Sequence, residues 1–596
     1  MNFFKTLIAT MVGFFLAAGL LLIILVVTIS SSSRQPEPYV QNNSVLKIGL
    51  RGALPDRSVT SPWEEVFNQS SNDKVSLETL KENLAKARVH DNIRGVWLQI
   101  DFISEGWANL QEAHRMISAF RDSSDKFVYA NTGDIGYNEK GYFLATAADS
   151  IFSAPETFFE FDGFYSQVMF YDGLLEKLGV EAEVTRHGKY KGAVEPYYRR
   201  DLSDENEYQL TQLLDEVHRT FMSAVSEKSG RTAEELDALM NGQPRLTSKF
   251  AYDEHLVDSL LYADQLEDLI RQRVGVEEDA SLKTVSNRRY ANVSSESAGL
   301  TPPSASDKIA VLYARGPIMP DVNSTSPFNE QQLITADFID EQLKKITEDD
   351  DIKALVLRVN SPGGAGSTSD LIWRKVQELK EQMPVIVSMG RVAASGGYYI
   401  SMAADSIVAE PTTVTGSIGV FATKFNAKQL FNDKLGLTFD EVKTHEHADW
   451  LSQNRSLTPD EEQALQLFVD QFYQTFITKA AENRNMSIEQ ADSLGQGRVW
   501  TGAAAHENGL VDVLGGLGEA ISIAGEKAGI SQYRVEKYPK PKSFYELLMG
   551  SANSQIKALV DSSWPSFLRP QELRRDLSLF QQRRALTLFP FDINIQ

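Results

Sequence analysis

Between positions 308 and 410 the apolar residues gather in short runs, KIAVLYA, ALVLRV, PVIVSMG and SIVAE, separated by stretches with a different period. Near-continuous runs of this kind, without strict alternation, predict strands covered on both faces. In TADFIDEQLKKITED the pattern becomes helical, with Phe338, Ile339, Leu343 and Ile346 on one face behind a Thr335 cap. SDLIWRKVQELKEQ predicts a second helix, SGGYYISMAA a short buried one, and residues 461–484 an amphipathic helix packed on the core or a neighbour. Repeated strand–helix units predict an α/β fold with a mostly parallel sheet and helices on its faces. Ligands meet such sheets at the loops after strand C-termini. NSPGG and GRVAAS lie at two of those loops, and VWLQIDFISEG and KFVYANTGDIG are their counterparts earlier in the chain.

The counterparts belong to a tandem duplication. KGYFLATAADSIFSAPET (140–157) matches GGYYISMAADSIVAEPTT (396–413) at a constant offset of 256. DNIRGVWLQID parallels DDIKALVLRVN upstream, and AYDEHLVDSL parallels AHENGLVDVL downstream. The Ser-rich stretch 278–307 reads as the linker between two repeats, 45–277 and 308–545, with a tail over 546–596. Ahead of them, after a short segment 1–6, Leu7 to Ile29 is an uncharged apolar run long enough to span a bilayer of about 30 Å. It is followed by a polar linker, 30–44, without a clear small-residue cleavage site, and reads as an uncleaved anchor. Lys5 and Arg34 flank it and leave its orientation undecided.

Composition narrows the chemistry. A net charge of −22 offers no basic stripe for nucleic acid. The absence of cysteine removes disulfides, thiolate nucleophiles and zinc–thiolate sites. No metal-ligand spacing is present, and SPGGAGST lacks the lysine of a nucleotide-binding loop, so no metal and no cofactor is expected.

The repeats differ where chemistry would sit. The second carries Ser395 where the first has Glu139, the Gly363-Gly364 turn where the first reads DFISEG, and Ser417 where the first has Phe161. The first reads EVTRHGKYKGAVEPYY where the second reads EVKTHEHADWLSQN, so aligning the shared Glu-Val pairs sets Lys191 beside Asp449. One repeat thus holds a candidate nucleophile and the other a lysine in the matching neighbourhood. A serine hydroxyl needs a base, and lysine acts as one only when burial lowers its pKa from about 10.4 toward 7–8. The developing oxyanion needs backbone N–H donors, for which Gly364 and Gly396 are the candidates. Three alternatives stand beside this reading: Ser395 as a small packing residue, Lys189 in place of Lys191, and a serine–histidine arrangement through His187, His445 or His447.

VNSPGG, AASGGYYIS, AAD, TGSIGV and GRVWTG together resemble the signal peptide peptidase A (protease IV) family in its long, duplicated, membrane-anchored bacterial form. The resemblance runs from the anchor to about residue 545. It implies a tandem Clp-protease/crotonase-like (ββα superhelix) fold and a serine endopeptidase with a Ser–Lys dyad acting on signal-peptide remnants and other apolar peptides. Ser395 aligns with the family nucleophile, Lys191 with the general base, Gly364 and Gly396 with the oxyanion donors, and Ser417 with a lysine-orienting hydroxyl. The resemblance also implies a homotetramer at the bacterial inner membrane with its catalytic domains on the periplasmic side. The rival expectations are a non-catalytic envelope scaffold that keeps the fold, and an acyl-CoA enzyme of the crotonase type.

Overall fold

The computed structural model describes residues 37–57, 75–242, 245–277, 280–301, 304–321 and 333–540, with residue 13 and the backbone of the strand Leu586–Leu588 besides. The apolar run 7–29 read as an anchor lies outside this set apart from residue 13. Among the described residues no helix is long and apolar enough to cross a membrane.

The first repeat builds strands β1 (Ser44–Gly52), β2 (Ile93–Ile103), β3 (Phe127–Thr132) and β4 (Ser150–Ser153), with helices α1 (Leu77–Val89), α2 (Trp107–Asp122) and α3 (Glu139–Ala145). Then come β5 (Glu181–His187), the long helix α4 (Asp204–Ser229) and β6 (Ser259–Leu260). Ser203 caps α4, accepting from the Asn206 N–H at 3.2 Å, and left-handed Gly230 ends it. The sheet runs β6-β4-β3-β2-β1-β7 and is parallel throughout. Its last member, β7 (Thr284–Ser286), lies inside the stretch 278–307 expected to be a linker. That expectation is corrected: the segment closes the sheet edge and buries Tyr290 in the first core. Few large apolar residues suffice there, because an edge strand gains backbone hydrogen bonds and Tyr290, with Val285, Val293 and Ala298, fills the space beneath.

The second repeat follows the same plan. Its elements are β8 (Lys308–Arg315), α5 (Ala336–Thr347), β9 (Ile352–Ser361), β10 (Gly363–Ala365), α6 (Gly366–Lys380), β11 (Val385–Ala394) and α7 (Gly396–Ser401). They continue with β12 (Ser406–Ala409), β13 (Val414–Gly416), β14 (Val420–Asn426), α8 (Pro459–Asn483), β15 (Val499–Thr501), β16 (Val513–Leu514) and β17 (Arg534–Tyr538). The eight-stranded sheet runs β15-β13-β11-β9-β8-β17, with β12 and β16 branching from β11. The Thr335 cap forms as expected, accepting from the Phe338 N–H at 3.1 Å, and Ile339, Leu343 and Ile346 are buried. The amphipathic helix over 461–484 appears as α8, begun by a Thr458–Glu461 capping box and burying Val469, Tyr473, Phe476 and Ile477.

Two contacts weld the repeats. First, β5 leaves its own sheet and pairs antiparallel with β14 over Glu181–His187, in a small sheet ordered β10-β18-β14-β5, where β18 is Leu586–Leu588. Second, α2 packs on the second sheet through a buried charge cluster. Arg358 on β9, 1% exposed, reaches Asp56 at 2.6 Å and Glu112 at 2.8 Å, both from the first repeat. Its other nitrogen donates to Ser388 Oγ at 2.8 Å and the Met389 carbonyl at 3.1 Å. Nearby, Arg115 pairs with Glu410, and Gln111 Oε1 accepts from the Thr412 N–H at 3.0 Å. A guanidinium in such a place is tolerable only while every acceptor is present. Arg358→Ala strands two buried carboxylates, and a loss of about 3–5 kcal/mol is expected in urea denaturation, far above that of an exposed pair such as Lys249–Asp253.

Candidate active site

Ser395 occupies the turn between β11 and α7, with φ 55° and ψ −115°. A non-glycine residue there is strained by about 1–3 kcal/mol and persists only where neighbours enforce it. Two bonds do so: its N–H donates to the Gly416 carbonyl, and its own carbonyl accepts from the Tyr399 N–H, both at 2.8 Å. The hydroxyl is thereby turned away from the sheet ladder. Ser417, likewise at positive φ, is anchored by its N–H to the Arg498 carbonyl at 2.7 Å.

Lys191 comes from the first repeat. The β5–β14 pairing ends with His187 opposite Val420. The chain then turns at Gly188 and donates the Tyr190 N–H to the Gln496 carbonyl at 2.9 Å. Lys191 immediately precedes the short helical segment Gly192–Tyr197. Its stem lies along Gly497, where an added Cβ would stand 2.6 Å from the lysine Cβ, so only glycine leaves room for it. The amine donates to Ser395 Oγ at 2.9 Å, Ser417 Oγ at 2.9 Å and the Ser417 carbonyl at 3.0 Å. All three side chains are buried, at 1% exposure or less.

Electrostatics follow from that burial. Among the described residues no acidic side chain pairs with Lys191, and desolvation pushes its pKa down to about 7. The geometry then fixes what the neutral amine does. The Ser417 carbonyl can only accept, so one N–H must point to it, and Ser417 Oγ takes the second. The remaining tetrahedral direction, a lone pair in the neutral form, faces the Ser395 hydroxyl. The arrangement can therefore take a proton from Ser395 without moving a heavy atom.

Beside the serine, β10 carries Gly364 against the chain at Ile318, where a Cβ would lie 1.9 Å from the Ile318 carbonyl oxygen. Ala365 N–H donates to that oxygen at 2.8 Å. Gly396 follows the serine at the start of α7. Behind the lysine is a polar shell that sequence reasoning missed. Glu195, fully buried, accepts from Ser203 Oγ at 2.6 Å and from Asn206 at 3.2 Å. Gln209 on α4 donates to the Tyr190 carbonyl at 3.2 Å and accepts from the Val499 N–H at 3.1 Å, tying the lysine loop to the second repeat. No local pattern marks a helical glutamine for that task.

The other candidate residues lie apart from this contact. Lys189 lies over the Tyr190 ring, 5.0 Å from its centroid. His187 bonds Asp470 at 2.6 Å and stacks on Tyr473; His445 bonds Thr444 and His447 bonds Glu461. None of these histidines hydrogen-bonds Ser395. The counterpart position Glu139 lines a separate cavity with Glu160 and Asp162, and burial raises its carboxyl pKa to about 7. The Glu-Val alignment holds in sequence only. Glu183 and Val184 lie on β5, whereas Glu441 and Val442 lie in an exposed segment without strand partners among the described residues.

A duplicated parallel α/β core with a strained serine at a strand-to-helix turn defines the class as serine hydrolases. The comparisons with known proteins narrow it. The model of Peptidase family S49 matches residues 121–277 and 377–531. Serine protease SPPA, chloroplastic, of Arabidopsis thaliana is 34% identical over 558 residues, covering 92% of this chain and 80% of that protein. Protease 4 of Salmonella typhi is 32% identical over 540 residues, covering 88% and 85%. Among solved structures a membrane-bound stomatin-specific protease aligns with 40% of this chain and 99% of its own at 15% identity, with a TM-score of only 0.26. The chain belongs to peptidase family S49 and is a serine peptidase.

A stability measurement isolates the lysine's cost. The unfolded lysine titrates near 10.4 and the folded one near 7, so the unfolded state binds the extra proton between those values. Stability contributed at this position therefore rises with pH across that window. Lys191→Met is expected to be more stable than the native protein by on the order of 1 kcal/mol at pH 6, with the gain shrinking toward pH 10, read by urea titrations across that range.

Proposed function

We propose that the chain is a membrane-anchored endopeptidase whose Ser395–Lys191 dyad degrades cleaved signal peptides and other apolar peptides. The single observation that carries the dyad is the 2.9 Å contact between a carboxylate-free buried amine and the serine hydroxyl. In this reading the peptide lies extended and pairs its backbone with β10. Neutral Lys191 takes the Ser395 proton as the oxygen attacks the scissile carbonyl. The N–H groups of Gly364 and Gly396 hold the oxyanion, and Ser417 keeps the amine aimed at the serine. The lysine ammonium returns its proton to the leaving amine, which frees an acyl-enzyme. Water, deprotonated by the same amine, then attacks the acyl carbonyl and releases the second product.

The apolar run 7–29 supports the anchor, and the family resemblance supports a periplasmic face of the bacterial inner membrane. A homo-oligomer, a tetramer by resemblance, is supported by the repeat itself. The first repeat's β5 finds its partner in β14, but the corresponding segments have no strand partner among the described residues. Residues 164–170, at the offset of β14, alternate between exposed and half-buried without a strand partner. Residues 439–445, matching β5, expose Phe439 and Val442. A second copy offers each the partner that the other repeat already has. The non-catalytic scaffold reading has no use for an amine whose desolvation weakens the fold, and among the described residues no carboxylate pair stands at Ser395 for acyl-CoA chemistry.

Hydrolysis of a quenched apolar peptide tests the dyad. Ser395→Ala and Lys191→Met are each expected to lower kcat/KM by on the order of 10⁴-fold. In the native protein kcat/KM is expected to rise with pH through an apparent pKa near 7, because the neutral amine is the active form. Ser417→Ala, which removes one of the two groups fixing the amine, is expected to cost about 10- to 100-fold and to move that midpoint. Equal turnover in all forms, or a flat profile from pH 5 to 9, rejects the mechanism. For the oligomer, Val442→Asp is expected to shift detergent-solubilised protein to smaller species in sedimentation.

A further inference from the structure

The first repeat holds a cavity at the position where the second holds Ser395. Its volume is about 410 Å³, and Glu139, Lys140, Glu160, Asp162, Phe102 and Phe164 are among the residues that line it. The walls are fixed. Asn138 donates from Nδ2 to the Ile103 carbonyl at 2.8 Å and accepts from the Gly141 N–H at 3.0 Å, tying the loop after β2 to the start of α3. Phe164 packs edge-on against Trp107, with ring centroids 5.2 Å apart. The charges inside are unmatched. Lys140 is only 5% exposed, yet among the described residues its amine hydrogen-bonds nothing. Glu105, whose charge acts on that amine, instead accepts from the Leu54 and Gly106 N–H groups, both at 2.8 Å. Glu139, also buried, accepts from the Asp162 N–H at 3.2 Å through one oxygen. Among the described residues no cation lies within ion-pair distance of Glu139, Glu160 or Asp162. Buried charges are ordinarily paired, as Arg358 is. A cavity that holds an amine and three carboxyl groups without joining them has room for a molecule between them.

We propose that this cavity binds an apolar residue carrying a free α-amino group, the chemistry of a peptide's first residue. The ammonium donates to the Glu139 and Glu160 carboxylates, and Lys140 donates to the carbonyl oxygen of the same residue. The apolar side chain lies against Phe102 and Phe164. Three carboxyl groups against one amine favour a ligand of net positive charge. A metal ion is a poor match, since among the described residues no three acidic or histidine side chains stand close enough together to hold one. An ammonium, by contrast, has three N–H donors for acceptors that stand apart. The volume lies at the small end of the range for ligand cavities, about 300–1,000 Å³, which suits one residue rather than a long segment. A free amino acid offers the same ammonium and differs from a peptide end in its carboxylate. Of these side chains only Phe164 belongs to the segment 164–170 proposed to pair with a second copy, and its backbone can pair while its ring stays on Trp107. The inference goes beyond the peptidase reading and uses no atom of Ser395 or Lys191.

Calorimetric titration with leucinamide tests this in the full detergent-solubilised chain carrying Ser395→Ala, which keeps the proposed nucleophile out of the measurement. Leucinamide is expected to bind with a Kd on the order of 1 mM, within reach of so small a ligand. N-acetyl-leucinamide, which lacks the ammonium, is expected to bind at least about tenfold more weakly. Leucine separates the two sources of the ligand: tighter leucinamide assigns the end of a peptide, tighter leucine a free amino acid, and either upholds the site. Adding Glu139→Gln is expected to weaken leucinamide about tenfold, and Lys140→Met to weaken leucine about tenfold. Each change removes a buried charge that lacks an ion-pair partner, so neither is expected to lower the urea midpoint. Absence of leucinamide binding, equal affinity for the acetylated compound, or affinities untouched by both substitutions overturns the inference. Peptide hydrolysis by the chain with Ser395 intact is read separately, and its failure defeats the peptidase reading while leaving this site standing.

Discussion

One constraint organises this molecule: a lysine amine must be held out of water with no carboxylate to pay for it. Among the described residues the Lys191 amine hydrogen-bonds a serine hydroxyl, a second hydroxyl and one carbonyl. Burial of an uncompensated ammonium is unfavourable by several kcal/mol, so the group sheds its proton near neutral pH instead. Everything around it serves to keep that environment dry and rigid. Gly497 lets the backbone close over the stem, and the Glu195 and Gln209 contacts brace the loop from behind.

The duplication makes this burial possible. Two similar sheets, each complete as a fold, meet through the β5–β14 pairing and the Arg358 cluster. The seam between them is a place where a side chain from one body can be enclosed by the other. A lysine supplied from within the second sheet would have to emerge from the same strand ends that present Ser395. A lysine delivered from the first repeat arrives along a different edge and meets the hydroxyl head-on. The same logic explains why stability and function share residues here. The strain at Ser395 and Ser417 and the desolvation of Lys191 all weaken the fold, and the extensive inter-repeat contact offsets them.

The small sheet gives the site its second property. Its members come from both repeats and from residues 586–588, so it is the one sheet that neither repeat completes alone. The strand that leads to Lys191 and residues 586–588 both lie along its edges. Strand β14 touches β5 on one side and β18 on the other, so it is the element they share.

Much of this was legible from residue patterns. The continuous apolar runs became the parallel strands β8, β9 and β11, and the Thr335 cap fell where its side chain can reach a backbone N–H group. The contrast between repeats pointed to Ser395, Lys191 and Ser417, because a duplicated fold keeps what packing needs and diverges where chemistry is local. Other features had no local signature. The edge strand β7 is polar in sequence because its stability lies in backbone bonds to β1. Gln209 matters through Val499, far along the chain, Glu195 through Ser203 and Asn206 around the start of the next helix, and β18 through strands of the second repeat. Sequence by itself determined most of the elements, the duplication and the candidate groups, since elements depend on neighbours a few residues apart and the rest on comparing the repeats at a near-constant offset. The distance between hydroxyl and amine and the burial of the lysine were decided by tertiary structure alone, because each is a property of surfaces brought together from the two repeats.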